Sequence, residues 1–320
     1  MSTVTVTELR HIRPRRLSLI ISSGTAPVLT LPVELVFNIF EAAIFDCKPS
    51  NLALVSKAFS KVVDAILYRT VILDSPNTVR LFHRTIHSKT RPFLTGHVKR
   101  LVVTWWPDSD TSQTQIHDII SACAGIRALI SPSFRWPINI SAAKSSVESG
   151  LTAITIQSFD EDHGILTHVS ENQPLIFSKT LTHLRFCEPS AMWYSPTSML
   201  AAFGPFPHLS HLQLARRANA NESNDIMFAN SVRKLLHSLP ALKMLVVSVF
   251  PEAYCFEMES VENSDIWKRM CEIRSEDRRV IVLPGRWEEW KDGYEKQKLF
   301  HSGYQPADFW TRAANTVKAD

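Results

Sequence analysis

Two histidines and a cysteine are spaced in a way that could bind a metal ion. His183 and His211 hold matching positions in two similar segments, "KTLTHLRFCE" and "PHLSHLQLAR", and Cys187 follows His183 by four residues. If these segments are neighbouring strands in register, the two imidazole rings lie about 5 Å apart. A zinc site needs a third and a fourth ligand, and the pattern offers no acidic partner. We therefore expect no metal site here.

Motifs for other chemistries are weak or missing. The sequence has no Gly-x-Ser-x-Gly elbow, no phosphate loop and no dinucleotide fingerprint, and it holds only nine glycines. The acidic stretch "FDEDHG" (159–164) lacks the alternating oxygen ligands and the closing glutamate of a calcium loop. We expect no catalytic residue and no cofactor; an enzyme built on a repeated sheet is the less favoured alternative.

The composition is typical of a folded intracellular protein. Hydrophobic residues make up 45% and charged residues 21% of the 320 positions. The five cysteines are widely spaced and form no Cys-x-x-Cys pair, which favours reduced thiols. No apolar run reaches the roughly 18 residues that would cross a bilayer. We expect a protein of the cytoplasm or nucleus that has no membrane partner.

Most of the net positive charge lies in an N-terminal tail. The formal net charge is +4, and four arginines against one glutamate give +3 within residues 1–30. We expect residues 1–27 to be a disordered, solvated tail; nucleic-acid binding, contact with an anionic membrane and a transit peptide are the alternatives. The rest of the chain offers no basic face, so we expect no nucleic-acid partner.

Residues 28–70 have the apolar spacing of short helices. Pro32 suits a first helical turn, and one stripe follows it at Leu35, Val36, Ile39, Phe40 and Ala43. After the turn "KPSN", with Ser50 or Asn51 as N-cap, a second stripe runs through Leu52, Val55, Phe59, Val62 and Ile66, with a break expected near Lys57–Ala58. Three short helices cannot bury all of these side chains among themselves. Some are expected to remain for a partner.

This stretch resembles the F-box. The family pattern begins Leu-Pro-x-Glu-Leu, and the matching positions are Leu31, Pro32, Glu34, Leu35, Ile39, Phe40, Leu52, Val55, Ser56, Lys57, Phe59, Leu67 and Tyr68. Phe59 stands where tryptophan is common in the family. The resemblance implies docking on a Skp-type adaptor of a cullin–RING ubiquitin ligase, through Leu31, Pro32, Leu35, Ile39, Leu52 and Val55. An ordinary helical cap on a larger domain is the alternative.

A six-residue rhythm, apolar-x-x-apolar-x-apolar, recurs along the middle of the chain. Its copies begin at Val98, Ile126, Leu151, Leu181, Leu209 and Leu242, in steps of 28, 25, 30, 28 and 33 residues, and the second copy is degenerate. Segments with helical spacing precede most of them, and 67–73 and 278–285 read as additional first and last strands. Strand and helix repeated at this period predict an α/β fold with parallel strands and outer helices.

This repeat is similar to the irregular leucine-rich repeats that follow F-boxes in many fungal proteins. The resemblance implies a solenoid over 71–250 and a last strand with a helical C-terminal cap over 251–320. The asparagine that often follows the third leucine is missing, and an α/β domain with a non-solenoid sheet is the alternative. In "RWEEWKDGYEKQ" we expect one helical face with Trp287, Trp290 and Tyr294, as part of the cap or as an aromatic binding patch.

Together the two resemblances imply a non-catalytic substrate receptor of a ubiquitin ligase. Strand alternation places the third, fifth and seventh repeat positions on the concave sheet face, where we expect target binding by His183, Arg185, His211 and Gln213. Arg185 is suited to a carboxylate or a phosphate. Target binding at the aromatic cap or the rim loops, or no target site on this chain, are the alternatives. A leucine-rich-repeat scaffold acting outside a ubiquitin ligase is the alternative function.

Overall fold

The computed structural model describes residues 31–107, 109–132, 150–159, 179–251, 260–291, 294 and 309–319. The tail predicted over 1–27, all of "FDEDHG" after Phe159, and Cys255 lie outside the described residues. Among the described residues, three helices come first, followed by strands that alternate with helices wherever the connecting segments are described.

The N-terminal helices form a small bundle with its own core. They are α1 (Val33–Asp46), α2 (Pro49–Val55) and α3 (Lys57–Leu67). α1 buries one side chain per turn, and α3 contributes two consecutive valines, giving the bundle core Val36, Phe40, Ile44, Val62 and Val63. The rings of Phe40 and Phe59 meet edge to face, with centroids 4.7 Å apart.

Ser56 divides the second apolar stripe. Its backbone is extended, and its hydroxyl accepts a hydrogen bond from the Phe59 amide at 3.2 Å, which caps α3. The break therefore falls just before Lys57, and the stripe expected to run on from Leu52 does not bury Val55. The N-cap of α2 was predicted at Ser50 or Asn51 but is Lys48, because Pro49 takes the first turn. Pro32, expected in the first turn of α1, is the N-cap of that helix.

The described residues after the bundle form one parallel sheet of eight strands. The prediction of an α/β fold with parallel strands is confirmed, and the spatial order of the strands follows the chain from β1 to β8. The strands are β1 (Thr70–Leu73), β2 (Arg100–Val103), β3 (Ala128–Ser131), β4 (Ala153–Ile156), β5 (His183–Phe186), β6 (His211–Arg217), β7 (Met244–Phe250) and β8 (Val280–Pro284).

The strand register aligns the repeats position by position. The fourth position of each copy pairs with the fourth position of the next, and the two outer strands extend the same row. We call this row the aliphatic ladder: Val71, Leu101, Leu129, Ile154, Leu184, Leu212, Leu245 and Val280. All eight members are buried. The predicted phase of the repeat is confirmed, including its degenerate copy, where Ser131 fills the sixth position and is fully buried.

Helices cover one side of the sheet, which we call the back face; the other side is the front face. The back-face helices are α4 (Pro76–Ser88), α5 (Arg91–His97), α6 (Asp110–Ala122), α7 (Pro196–Ala201), α8 (Glu222–Ser238) and α9 (Asp265–Glu276). A serine, threonine or asparagine side chain caps the first turn of each. None of the helices in the described ranges has both the length and the apolar composition needed to cross a membrane.

The C-terminal segment packs on the front face. Helix α10 (Phe309–Ala319) buries Phe309, Trp310 and Ala313 against β7 and β8. Of the helix expected to carry Trp287, Trp290 and Tyr294 on one face, the described residues contain a turn of 3-10 helix over Glu289–Lys291. The two tryptophans do not share a face: Trp287 packs on Phe250, while Trp290 joins a different cluster.

Two glycines provide a matched test of this packing. A Cβ on Gly125, in the turn between α6 and β3, would lie 1.9 Å from the backbone oxygen of Thr95, whereas a Cβ on Gly96 in α5 would meet nothing within 4 Å. We expect Gly125→Ala to lower the free energy of unfolding by about 1–3 kcal/mol, because backbone must shift. Gly96→Ala should raise it by up to about 1 kcal/mol, because alanine favours helix. Urea denaturation measures both, and equal effects would contradict the packing at Gly125.

Candidate functional site: two interaction surfaces

Helix α1 carries two apolar stripes, and only one of them faces the bundle core. Val36, Phe40 and Ile44 point inward, while Leu35 and Ile39 point to solvent with 48% and 44% of their surface exposed. Leu31 and Pro32, just before the helix, are also exposed. The core of the bundle is complete without these outward side chains. They are therefore available to a partner.

Helix α2 adds to the exposed apolar surface of the bundle. Val55 is 62% exposed, whereas Leu52 is half-buried and packs against the bundle core. Leu54, which the sequence reasoning did not single out, is 84% exposed. Its signal was present, since "LALV" (52–55) places more apolar residues on a seven-residue helix than one face can bury. Five of the six predicted adaptor-binding residues are thus exposed, and Leu52 is the exception.

The second surface is the front face of the sheet, where one row of side chains crosses all eight strands. The fifth repeat positions pair from strand to strand and give the front row: Ile72, Val102, Ile130, Thr155, Arg185, Gln213, Val246 and Ile281. The row is apolar at both ends and polar over β4, β5 and β6. Exposing an apolar sheet face to water costs free energy. We therefore expect other side chains to pack over both ends of this row.

The polar middle of the front row is a chain of hydrogen bonds. The Arg185 Nε donates to Gln213 Oε1 at 2.7 Å, and Gln213 Nε2 donates to the Ser248 hydroxyl at 2.9 Å. Gln213 and Ser248 are buried, so these bonds satisfy groups that water cannot reach. Arg185 and Gln213 are neighbours, as the register predicts. Their polar groups, however, hydrogen-bond to each other.

His183 and His211 stack on each other beside this chain of bonds. Their ring centroids lie 4.3 Å apart at an interplanar angle of 10°. Thr182 and Ser210 hydroxyls lie 2.8 Å from the Nδ1 atoms of His183 and His211 and donate to the Thr152 and Thr182 carbonyls. These contacts hold each imidazole ring against the hydroxyl of the residue before it. Among the described residues, no group of three metal-ligating side chains is placed to hold an ion.

Helix α10 covers the histidine pair and Arg185. The Trp310 ring lies 5.7 Å from that of His183 and 5.2 Å from that of His211, centroid to centroid. The guanidinium carbon of Arg185 sits 3.8 Å from the centroid of the Phe309 ring, in cation–π geometry. All four residues predicted to bind a target are therefore in contact with α10 or buried near it. In this structure the chain's own C-terminal segment occupies that surface.

Trp290 covers the other apolar end of the front row. Its buried ring clusters with Val102, Ile130 and Cys187, and Ile72 and Tyr294 pack around them. Trp290 therefore contacts side chains from early strands although it follows β8 in the chain. The sequence reasoning assigned it to a terminal cap, since periodicity carries no signal for such a contact.

A buried carboxylate fixes the segment that carries Trp290. Glu188 is 6% exposed, and its two oxygens accept hydrogen bonds from Gln157 Nε2 and from the Glu288 amide, both at 2.7 Å. The bond to Glu288 joins residues that are 100 positions apart in the chain. It holds the turn after β8 against the loop after β5.

Cys187 lies in this cluster as a protonated thiol. Burial raises the pKa of Cys187 to about 11; the Arg185 guanidinium opposes the shift, while Glu289 and Glu188 reinforce it. A thiol with this pKa carries almost no thiolate near neutral pH, so it is a poor nucleophile and a poor metal ligand. It packs as a small side chain in the cluster and its thiol donates a weak hydrogen bond to Gln213 Oε1 at 3.9 Å.

The two tryptophans of the predicted aromatic patch differ in burial, which gives a direct test. Trp290 is 2% exposed and Trp287 is 36% exposed. We expect Trp290→Ala to lower the free energy of unfolding by about 3–5 kcal/mol, because a large cavity opens beneath the turn. Trp287→Ala should lower it by a smaller amount. Denaturant titrations compare the two variants, and equal losses would show that Trp290 is not a core residue.

Comparisons with known proteins leave the family open. A scan against models of protein families and a search of curated proteins both found no match. The functional argument therefore depends on the outward face of the helical bundle and on the front face of the sheet.

Proposed function

We propose that this chain is the substrate-recognition subunit of an F-box/Skp/cullin–RING ubiquitin ligase. The helical bundle would bind a Skp-type adaptor, and the sheet would hold a target protein. The observation that carries the proposal is the pair of apolar stripes on α1. One stripe completes the bundle core, and the other, with Leu35 and Ile39, remains exposed next to the F-box-like Leu31 and Pro32.

The energetics of this surface favour a protein partner. Fully burying a side chain such as leucine or isoleucine contributes about 1.5–3 kcal/mol, and those exposed on α1 would each contribute part of that. A handful of such residues can dominate a protein interface. A helical cap on a larger domain would turn these residues toward that domain, whereas here they face solvent.

The sheet supports the comparison with leucine-rich repeats. The strands follow one another in chain order, and their repeat positions are in register. The helices α4–α9 all lie on the back face. A solenoid of this kind acts as a binding scaffold. The receptor would contribute no chemistry of its own. It would raise the effective concentration of a target near a ubiquitin-loaded enzyme.

A scaffold that acts outside a ubiquitin ligase is the second candidate. It is favoured by the separation of the two cores, since the bundle core shares no residue with the core beneath the sheet. A sheet with an independent core could present its front face without any adaptor. The two functions differ in whether the bundle binds an adaptor.

Adaptor capture tests the proposal at one residue. We expect Leu35→Glu to weaken binding of a purified Skp-type adaptor at least about tenfold, because a charge enters the apolar contact. Leu81→Glu is the matched control, since Leu81 is similarly exposed, at 43%, but lies in α4 outside the bundle. Biolayer interferometry measures both affinities, and thermal unfolding confirms that both variants are folded. If the two variants bind the adaptor equally well, the bundle is not the adaptor site.

The proposed lack of intrinsic chemistry gives a second test. With ubiquitin, activating enzyme and conjugating enzyme alone, we expect the chain to transfer no ubiquitin. Transfer should require the adaptor, cullin and RING subunits together, because the receptor acts through proximity. Immunoblotting for conjugates over time measures this. Conjugates formed by the isolated chain would refute the proposed role.

A further inference from the structure

Helix α10 is attached to the front face through its first turn. Phe309, Trp310 and Ala313 are buried, whereas Asn315 and Thr316, one turn later, are exposed. A surface ion pair between Arg312 Nη2 and Glu289 Oε1, at 2.9 Å, adds to this attachment. The contact is thus an aromatic pair, a small residue and one charge, presented on a helix.

The surface beneath α10 recognises these features by side-chain chemistry. His183 and His211 present stacked imidazoles to the indole, and Arg185 presents its guanidinium to the phenyl ring. A buried alanine lets the helix approach the sheet closely. A helix from another protein with the same aromatic pair could make all of these contacts, because none of them depends on covalent connection to the chain.

We infer that this part of the front face is a docking site for an amphipathic helix of a target, occupied by α10 until the target displaces it. The target helix would present two adjacent aromatic residues and a small residue four positions after the first, as Phe309, Trp310 and Ala313 do. This inference rests on the proposed function, which supplies the idea of a target protein. The docking site itself is inferred from the contacts of α10.

Occupation by α10 sets the affinity that a target must reach. A tethered segment competes at an effective concentration of the order of millimolar. A helix with contacts equal to those of α10 therefore binds weakly in trans while α10 is docked. Weakening the docking of α10 should raise the apparent affinity of the same helix, because the site is then populated in its open form.

A peptide of the chain's own sequence is the probe. Fluorescein-labelled peptide 307–319 is titrated with the full chain and with the full-chain variant Phe309→Ala/Trp310→Ala, and anisotropy reports binding. We expect the variant to bind the peptide at least about tenfold more tightly than the wild type. A peptide with alanine at both aromatic positions is the control and should bind neither protein. Equal affinity of wild type and variant for peptide 307–319, or equal binding of the control peptide, overturns the inference.

A second variant decides the matter if the first is poorly folded. Arg312 is half-exposed, so Arg312→Glu breaks the ion pair without opening a cavity. We expect it to raise peptide affinity several-fold. The charge-swapped Glu289→Arg/Arg312→Glu chain should bind the peptide no more tightly than the wild type, because its α10 is docked again and the arginine of the peptide then meets another arginine. Peptide affinity unchanged in Arg312→Glu, or still raised in the swapped chain, counts against displacement of α10.

Adaptor capture separates this inference from the proposed function. The same variants are tested for binding of the Skp-type adaptor, and we expect no change, because the described residues that pack with α10 in its cluster lie on β7 and β8 and none belongs to the bundle core. If peptide 307–319 binds neither the wild type nor the variants while the adaptor is still captured, the docking site is refuted and the proposed function is not. Peptide binding without any adaptor capture, in wild type and variants, would refute the ligase assignment and leave the docking site standing.

Discussion

The aliphatic ladder is the constraint on which the rest of the structure depends. Each of its eight side chains is buried only because the neighbouring strand carries another at the same height and a helix or loop covers both. A slip of one residue between two strands would turn a leucine to the front face and a polar residue to the back. The ladder thus fixes the register, and the register fixes every side chain on the opposite side of the sheet.

Because side chains alternate along each strand, the register set by the ladder also determines which side chains are neighbours on the front face. Side chains two strands apart could not hydrogen-bond, but neighbours such as Arg185 and Gln213 are brought within reach by the spacing of strands. The same spacing leaves apolar rows over the first and the last strands. The C-terminal segment covers both, with Trp290 at one end and α10 at the other. A polar middle between two covered flanks is the result.

Much of the fold could be predicted from the sequence, because the ladder repeats locally and its period is visible. The pairing of His183 with His211 followed from counting within two copies of the motif. The position of Trp290 could not be predicted, since it contacts strands nearly two hundred residues earlier through a segment with no repeat. The exact end of α2 could not be predicted, for a local reason. The capping hydroxyl of Ser56 ends one helix and begins another, which breaks a periodicity that looks continuous in the sequence.

The hydrogen bond from the Glu288 amide to Glu188 changes how the molecule can fold. An array of repeats in which each unit touches only its neighbours can melt from its ends and can form unit by unit. Here a contact across 100 residues, together with Trp290 over β2 and β3, joins the end of the array to its beginning. Such non-local contacts slow folding and make the array lose its order as one unit. During synthesis, β2 and β3 receive this cover only after Trp290 has been added to the chain and has emerged.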